Sequence, residues 1–122
     1  PSTTAIIYNN LQNPLGCESS PQEMQAIADL AIEHDLTVLA DEAYYEMRYS
    51  GQSQSIAALP GMFESTVILY TFSKKFAMTG WRLGWMVVPE GCVREIEKLA
   101  QNLFISPSTI ARWGSCSGSP SR

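Results

Sequence analysis

Histidine and cysteine are scarce in this sequence of 122 residues. The single histidine, His34, rules out a cluster of histidine metal ligands, and a Ser-His-Asp triad would have to use this one residue. Because His34 lies near the end of a predicted helix, we expect it to be solvated and favoured there by the helix dipole. The cysteines at positions 17, 92 and 116 are odd in number and lack CxxC or Cys/His spacing. This pattern predicts neither a disulfide framework nor a zinc site, and it favours a reducing compartment, the cytoplasm.

Long apolar runs and basic runs are also missing. The longest apolar stretches, such as residues 67–70 and 85–88, are far too short to cross a bilayer. The first residues show no charged start followed by an apolar block, which predicts that there is no signal peptide. Eight Lys and Arg against twelve Asp and Glu give a net charge of −4 without a basic cluster, which argues against nucleic-acid binding. The apolar share of 45% is enough for the buried core of one domain.

The first part of the chain predicts a strand, a helix and a second strand. Residues 4–8 are β-branched and aromatic and lead into a turn, which is typical of a strand. Ser20, a following proline and Glu23 form a capping box, and apolar residues at helical spacing extend this helix to about Asp35. Residues 36–40 form a continuous apolar run, the pattern of a strand buried on both faces. A strand, a crossover helix and a strand predict a parallel pair.

The second part predicts two more strands and another helix. Residues 66–70 and 82–88 are apolar, and about ten residues connect them, which is too short for a parallel crossover. We therefore expect this pair to be antiparallel. One helical turn is expected at residues 55–59 and an amphipathic helix at residues 90–103. The predicted fold class is α/β, a mostly parallel sheet flanked by helices with an antiparallel last strand.

The end of the chain has a different composition. Residues 106–109 have the pattern of a helix start, but the sequence from Arg112 is rich in Ser and Gly and has no period. We therefore expect residues 1–111 to form part of a domain and residues 112–122 to form an irregular tail.

Polar residues follow three of the predicted strands. Asn13 lies in the loop after the first strand, Asp41 and Tyr44 follow the second, and Lys74 follows the third. Each of them alone is most simply a turn, cap or solvated residue. Together they supply an amine able to form a Schiff base, an acid for a pyridinium nitrogen and, with Arg82, cationic and hydroxyl groups for a phosphate. Open α/β sheets bind ligands at this carboxyl edge, and these are the groups that a pyridoxal phosphate enzyme needs.

The order and spacing of these residues resemble a known family. The run SKKFAMTGWRLGW at residues 73–85 is highly specific, and the run DEAYYE at residues 41–46 and the loop NLQNPLG at residues 10–16 support it independently. The chain resembles a segment of the large cofactor-binding domain of fold-type I pyridoxal phosphate enzymes, in the class I and II aminotransferase group related to aspartate and aromatic aminotransferases. The resemblance covers residues 1–111. It implies the cofactor pyridoxal 5'-phosphate, amino-acid and 2-oxo-acid substrates, and a homodimer when intact.

The resemblance also implies a role for each site residue. Lys74 matches the lysine that forms a Schiff base with the cofactor and moves a proton to and from the substrate Cα, whereas Lys75 is expected to be a bystander. Asp41 matches the partner of the pyridine nitrogen, which an anion keeps protonated. Tyr44 and Asn13 match the groups that hydrogen-bond the 3'-oxygen of the ring, and the Asn-Pro bond after Asn13 is often cis in the family. The phosphate-binding set is matched by Thr71, Ser73 and Arg82.

Some parts of the family pattern are altered or have no match. Leu11 and Leu15 stand where the family usually has Pro and Thr, which removes a hydroxyl from the turn but leaves Asn13 in place. An upstream phosphate-binding loop, a ring-stacking aromatic residue and a downstream arginine for the substrate carboxylate have no match here. A site needs its contacting residues held by neighbours, so we expect this chain alone to bind the cofactor weakly, if at all, and to be inactive.

Two other functions stay open. The cofactor motifs do not separate an aminotransferase from a carbon–sulfur β-lyase or an aminocyclopropane-carboxylate synthase-like enzyme on the same scaffold. The composition from Arg112 onward is also compatible with a truncated, non-catalytic fragment.

Structural roles are expected for the remaining residues. We expect Glu42 and Glu46 to be solvated or paired surface charges, and Tyr70, Trp81 and Trp85 to pack in the core or at a dimer interface.

Overall fold

Four strands form one sheet in the computed structural model, which describes residues 2–117. They are β1 (Ala5–Asn9), β2 (Thr37–Asp41), β3 (Thr66–Thr71) and β4 (Gly84–Val87), and they lie in chain order across the sheet. The first three strands are parallel to one another, and β4 is antiparallel to β3. The predicted fold class is confirmed. Because β4 runs backward, its first residue lies at the sheet edge where the other three strands end.

The crossover helix α1 (Pro21–Glu33) begins as its capping box predicts. The Ser20 hydroxyl accepts a hydrogen bond from the Glu23 N–H at 3.2 Å, and the Glu23 carboxylate accepts one from the Ser20 N–H at 2.8 Å. The helix ends at Glu33, with exposed His34 as its C-cap. It is two residues shorter than expected because Asp35 has a φ of +51°, which lies outside the right-handed helical region.

The core lies between α1 and one face of the sheet. Met24, Ala28 and Ala31 form the buried stripe of α1, and they belong to the same apolar cluster as Val38 and Ala40 of β2. The other members of this cluster are Tyr8, Leu36, Ile56 and Met62. Packing of α1 therefore fixes the position of β2, the strand that ends at Asp41.

The opposite face of the sheet is only partly covered by the described residues. Thr37 of β2 is exposed, Leu39 is half-buried, and Ile7 of β1 is 78% exposed. Side chains alternate between the two faces of a strand, so a helix on one face hides only every second side chain. The prediction that residues 36–40 are buried on both faces is wrong for this structure.

Short helical segments link the strands that follow. A 3-10 turn at Ile56–Ala58 confirms the helical turn expected at residues 55–59. Between β3 and β4 lie the short helix α2 (Phe72–Lys75) and a 3-10 turn. The strand expected at residues 82–88 is shorter than predicted because Arg82 has a φ of +52°, a left-handed conformation that a strand cannot include.

Helix α3 (Val93–Leu103) confirms the amphipathic helix expected at residues 90–103, whose first turn is a 3-10 turn at Glu90–Cys92. On its apolar face Ile96 and Ala100 are half-buried, and no residue of α3 is fully buried. Neither this helix nor any other in the described part of the chain is long and apolar enough to cross a membrane.

A fourth helix, α4 (Thr109–Ser117), occupies the segment that was expected to be irregular. It starts where the Ser108 hydroxyl accepts a hydrogen bond from the Ala111 N–H at 3.2 Å, which agrees with the helix-start pattern of residues 106–109. The expected irregular tail is therefore wrong for residues 112–117, and residues 118–122 lie outside the described residues.

Three aromatic residues expected to pack lie around β3 and β4. Tyr70 and Trp85 face each other in the antiparallel pair, and their rings stack with centres 4.8 Å apart. Trp81 lies beside Gly114 of α4. Because Trp81 and Trp85 are 42% and 44% exposed, their packing within the described residues is partial.

Candidate functional site

The carboxyl ends of β1, β2 and β3 lie at one edge of the sheet, as parallel pairing requires. Asn9, the last residue of β1, is in register with Asp41, the last residue of β2, and Thr71 at the end of β3 pairs with Gly84. The residues predicted to form the site lie at the ends of these strands or in the segments that follow them: Asn13, Asp41, Tyr44, Thr71, Ser73, Lys74 and Arg82.

Asn9 ties the loop after β1 to the end of β2. Its side-chain nitrogen donates to the Asp41 carbonyl oxygen at 3.2 Å, and its side-chain oxygen accepts from the Asn13 N–H at 2.9 Å. The Gly16 N–H closes the loop by donating to the Gln12 carbonyl at 2.7 Å, and the Asn13–Pro14 bond is cis, as the family resemblance implied. Sequence analysis missed Asn9, whose signal was an amide at the last position of a strand.

Asp41 is the last residue of β2, and Tyr44 lies in the turn that follows. The Asp41 side chain is half-buried, and one of its oxygens accepts a hydrogen bond from the Ala43 N–H at 3.1 Å. The Met47 N–H donates to the Tyr44 carbonyl at 2.8 Å, which closes the next turn. A carboxylate that bonds the backbone two residues ahead is a common way to stop a strand and start a turn. The same bond fixes the orientation of the Asp41 carboxylate.

Thr71 begins the short helix that carries the lysines. Its hydroxyl oxygen accepts a hydrogen bond from the Ser73 N–H at 3.1 Å and thereby caps α2. The same hydroxyl and the Phe72 N–H both donate to the Leu83 carbonyl, at 3.5 and 3.1 Å. The start of α2 is therefore held against the residue that precedes β4.

Arg82 lies at the same edge, but its side chain points back toward the segment that connects β3 to β4. Its guanidinium donates to the Thr79 carbonyl oxygen at 3.2 Å, and the residue is exposed. No hydrogen bond among residues 2–117 joins it to Thr71 or Ser73. The structure thus places the three residues of the predicted phosphate set at one edge without bringing the guanidinium into contact with the hydroxyls.

The two adjacent lysines have different surroundings. The Lys74 amine lies 5.2 Å from the centre of the Tyr44 ring, within the distance of a cation–π contact. Lys75 forms an ion pair with Glu46, and the hydrogen bond between them raises the pKa of the Lys75 amine. No carboxylate in the described part of the chain pairs with Lys74. Of the two lysines in α2, Lys75 is held by an ion pair, whereas Lys74 forms none within the described residues.

Glu42 is not the surface charge that the sequence analysis expected. It is 9% exposed, because alternation along β2 places it on the same face as buried Val38 and Ala40. Burial raises the pKa of the Glu42 carboxyl, and a hydrogen bond with the Ser55 side chain partly offsets that rise. The period of two was visible in the sequence and could have identified this residue. Glu46, by contrast, is a paired surface charge as expected.

The chemistry of these groups fits pyridoxal phosphate. An exposed amine lies beside a tyrosine ring, a half-buried carboxylate has a fixed orientation, and hydroxyls and a guanidinium lie on neighbouring turns. All of them lie at the carboxyl edge, where open α/β sheets bind their ligands.

Comparison with known proteins gives a consistent result. The sequence profile of the family described as "Aminotransferase class I and II" matches residues 1–114. The chain is 42% identical over 114 residues to aromatic-amino-acid aminotransferase 2 of Thermococcus litoralis, covering 93% of this chain and 29% of that protein. It is 46% identical over 101 residues to an aspartate aminotransferase of Musicola paradisiaca, covering 82% of this chain and 25% of that protein.

A solved structure shows the same arrangement of elements. The aromatic aminotransferase from Pyrococcus horikoshii OT3 matches with a TM-score of 0.90 and 38% sequence identity, covering 94% of this chain and 31% of that chain. The chain therefore spans less than a third of the length of these relatives.

Proposed function

This chain belongs to the family of class I and II aminotransferases, and from this premise we propose that it forms part of an enzyme that transfers an amino group between an amino acid and a 2-oxo acid. Enzymes of this family depend on pyridoxal phosphate. The observation that supports the proposal best is the placement of Lys74: its amine lies outside the ion pair of α2, beside the Tyr44 ring and at the same sheet edge as Asp41.

The cofactor supplies, when bound, an aldehyde that condenses with amines and a ring that takes up the electron pair of a carbanion. The Lys74 Nζ, which lies beside the Tyr44 ring, would provide the amine and would carry the proton that leaves and returns to the substrate Cα. The Asp41 carboxylate, whose orientation the Ala43 N–H fixes, would hold a proton on the pyridine nitrogen, because an anion next to a base favours its protonated form. Asn13 and Tyr44 would bind the 3'-oxygen of the ring from the two turns that Asn9 and Asp41 stabilise.

The phosphate is assigned to the β3–β4 side of the site. Ser73 and Thr71 offer hydroxyls at the start of α2, and Arg82 offers a planar guanidinium with paired donors. To bind an anion, Arg82 gives up one hydrogen bond to the uncharged Thr79 carbonyl for hydrogen bonds to a charged acceptor, which are stronger.

Substitution of the two lysines tests the proposal in the protein as its gene encodes it. Lys74→Ala is expected to abolish the visible absorbance band of bound cofactor. It is also expected to abolish the cofactor adduct that mass spectrometry detects, after borohydride reduction, on the peptide that contains residue 74. Lys75→Ala, the matched control, is expected to leave both signals. A band that persists in Lys74→Ala and disappears in Lys75→Ala would mean that the assignment is wrong.

Product analysis separates transamination from elimination on the same scaffold. We expect alanine or aspartate to lose its amino group only when a 2-oxo acid acceptor is present, with a new amino acid as the second product. Release of pyruvate and ammonia from cystathionine without an acceptor would instead identify a carbon–sulfur lyase. The assay uses each amino acid with and without the acceptor.

Residues 1–122 alone are proposed to lack transaminase activity, since they span 25–31% of the relatives compared above. Robust turnover by the purified 122-residue chain would contradict this.

We also propose that the intact enzyme is a homodimer, which agrees with large exposed apolar side chains such as Ile7 and Trp113. We further propose that it acts in the cytoplasm, which agrees with three exposed, unpaired cysteines. Sedimentation and cell fractionation test these two points.

A further inference from the structure

Two side-chain contacts connect the same two segments side by side. Lys74 lies over the Tyr44 ring, and the next residue, Lys75, pairs with Glu46, two residues after Tyr44. One segment is the four-residue helix α2, and the other is the turn that follows β2. The Leu83 carbonyl holds the start of α2. A single helical turn has little rigidity of its own, so the orientation of its last residues depends on what their side chains bind.

Backbone pairing between these segments stops before it reaches the lysines. The β2–β3 ladder ends where Asp41 faces Leu69, and the Glu42 N–H donates to the Leu69 carbonyl at 2.9 Å. Within residues 2–117 no backbone hydrogen bond joins the following turn to α2. The side-chain contacts of the two lysines therefore bridge a gap that the sheet leaves open.

The ion pair lies in a cleft of about 440 Å³ with aromatic walls. The Lys75 amine is 5.1 Å from the centre of the Phe76 ring, and the side chains of Lys75 and Glu46 are each 40% exposed. The other titratable groups that face the pair are Glu42, Tyr45 and Tyr70. Burial is the main cause that raises the pKa of both phenols, so both stay neutral near pH 7.

We propose that the Lys75–Glu46 ion pair positions Lys74 by anchoring α2 to the turn that carries Tyr44. This inference rests on the proposed function, in which Lys74 binds the cofactor. It makes Lys75 a positioning residue rather than the bystander that the sequence motif implied. Because both members of the pair are side chains, removal of either one releases the same anchor.

The test is a set of charge variants in the protein as its gene encodes it, loaded with pyridoxal phosphate. Lys75→Met and Glu46→Gln each remove one partner, and the double variant Lys75→Glu with Glu46→Lys restores an ion pair of reversed polarity. Lys98→Met is the matched control, since Lys98 forms an exposed ion pair with Glu95 on α3. The readout is the pH midpoint of the visible cofactor band, together with thermal unfolding as a check on the fold.

Loss of the anchor is expected to move the midpoint in the same direction in both single variants, by about half a pH unit, the size expected for a half-exposed ion pair. The charge-swapped variant is expected to return to the original midpoint, and Lys98→Met is expected to leave it unchanged. Shifts of opposite sign would show a simple charge effect and overturn the proposal, as would unchanged midpoints in both single variants or a swap that fails to restore. Failure of the proposed function is distinguishable, because then the band persists in Lys74→Ala.

Discussion

Gly84 is a position in the β3–β4 pair that tolerates no side chain. A β-carbon added there would lie 2.6 Å from the Tyr70 carbonyl oxygen and 3.7 Å from the Thr71 Cα. Real β-carbons essentially never come closer than 3.0 Å to such an atom, so Gly84→Ala must open the pair by at least 0.4 Å. The obstructing atoms belong to the backbone, and no change of side-chain rotamer relieves the contact.

This displacement falls on the residues that hold α2 in place. Leu83, next to Gly84, accepts the hydrogen bonds of the Phe72 N–H and the Thr71 hydroxyl. Over-packing of this kind costs about 1–3 kcal/mol, and we expect the free energy of unfolding to fall by that amount. Because the displaced segment carries Ser73 and Lys74, we also expect about a tenfold loss of pyridoxal phosphate affinity, which corresponds to about 1.4 kcal/mol.

Urea unfolding and absorbance titration with pyridoxal phosphate, both on the protein as its gene encodes it, measure the two effects. Gly80→Ala is the matched control: Gly80 lies in the same connection, and a β-carbon there would meet no atom within 4 Å. We expect the control to stay within about 0.5 kcal/mol of the parent protein. If Gly84→Ala behaves like Gly80→Ala in both measurements, the steric reasoning is refuted.

Two further predictions concern α1 and the buried acid. Ser20→Ala removes the cap of α1 and should lower the free energy of unfolding by about 1 kcal/mol in urea melts. Substitution of an exposed neighbour, Gln22→Ala, should change it little, and equal effects would contradict the capping argument. Since burial raises the pKa of Glu42 above its ordinary value of 4.5, the folded state binds this proton more tightly than the unfolded state. The stabilisation is complete below pH 4.5 and is lost as the pH rises through the higher folded pKa. In a pH series of urea melts, Glu42→Gln should therefore flatten the fall in stability above pH 4.5, and an unchanged slope would show that Glu42 is not the group responsible.

Local signals made several elements of the fold predictable. The capping box at Ser20 and Glu23 involves neighbours in the chain, and α1 begins there as expected. The antiparallel last pair followed from the shortness of its connection, which does not depend on distant packing. What covers each face of the sheet is a non-local property, and for that reason the burial of residues 36–40 on both faces was predicted wrongly.

The sheet edge at which the candidate residues lie was predictable from the sequence, but the contacts of their side chains were not. Parallel strands end at one edge, so Asp41 and Lys74 were expected there together, and the structure places both at that edge. The direction of each side chain depends on segments far apart in sequence. This explains why the pairing of Lys75 with Glu46 was not foreseen, and why Arg82 turns toward Thr79.

Because the chain reverses direction at β4, the contacts that close the two halves of the site differ in sequence separation. Thr71 and Gly84 meet across residues 72–83, so the half that contains Lys74 closes as a short local loop with a small entropic cost. Asn9 and Asp41 lie 32 residues apart, and their half of the site forms only after a complete parallel crossover. The β3–β4 hairpin, which carries Lys74, is thus able to form early in folding. The strand β2, which carries Asp41, pairs with β1 only after the longer crossover has formed.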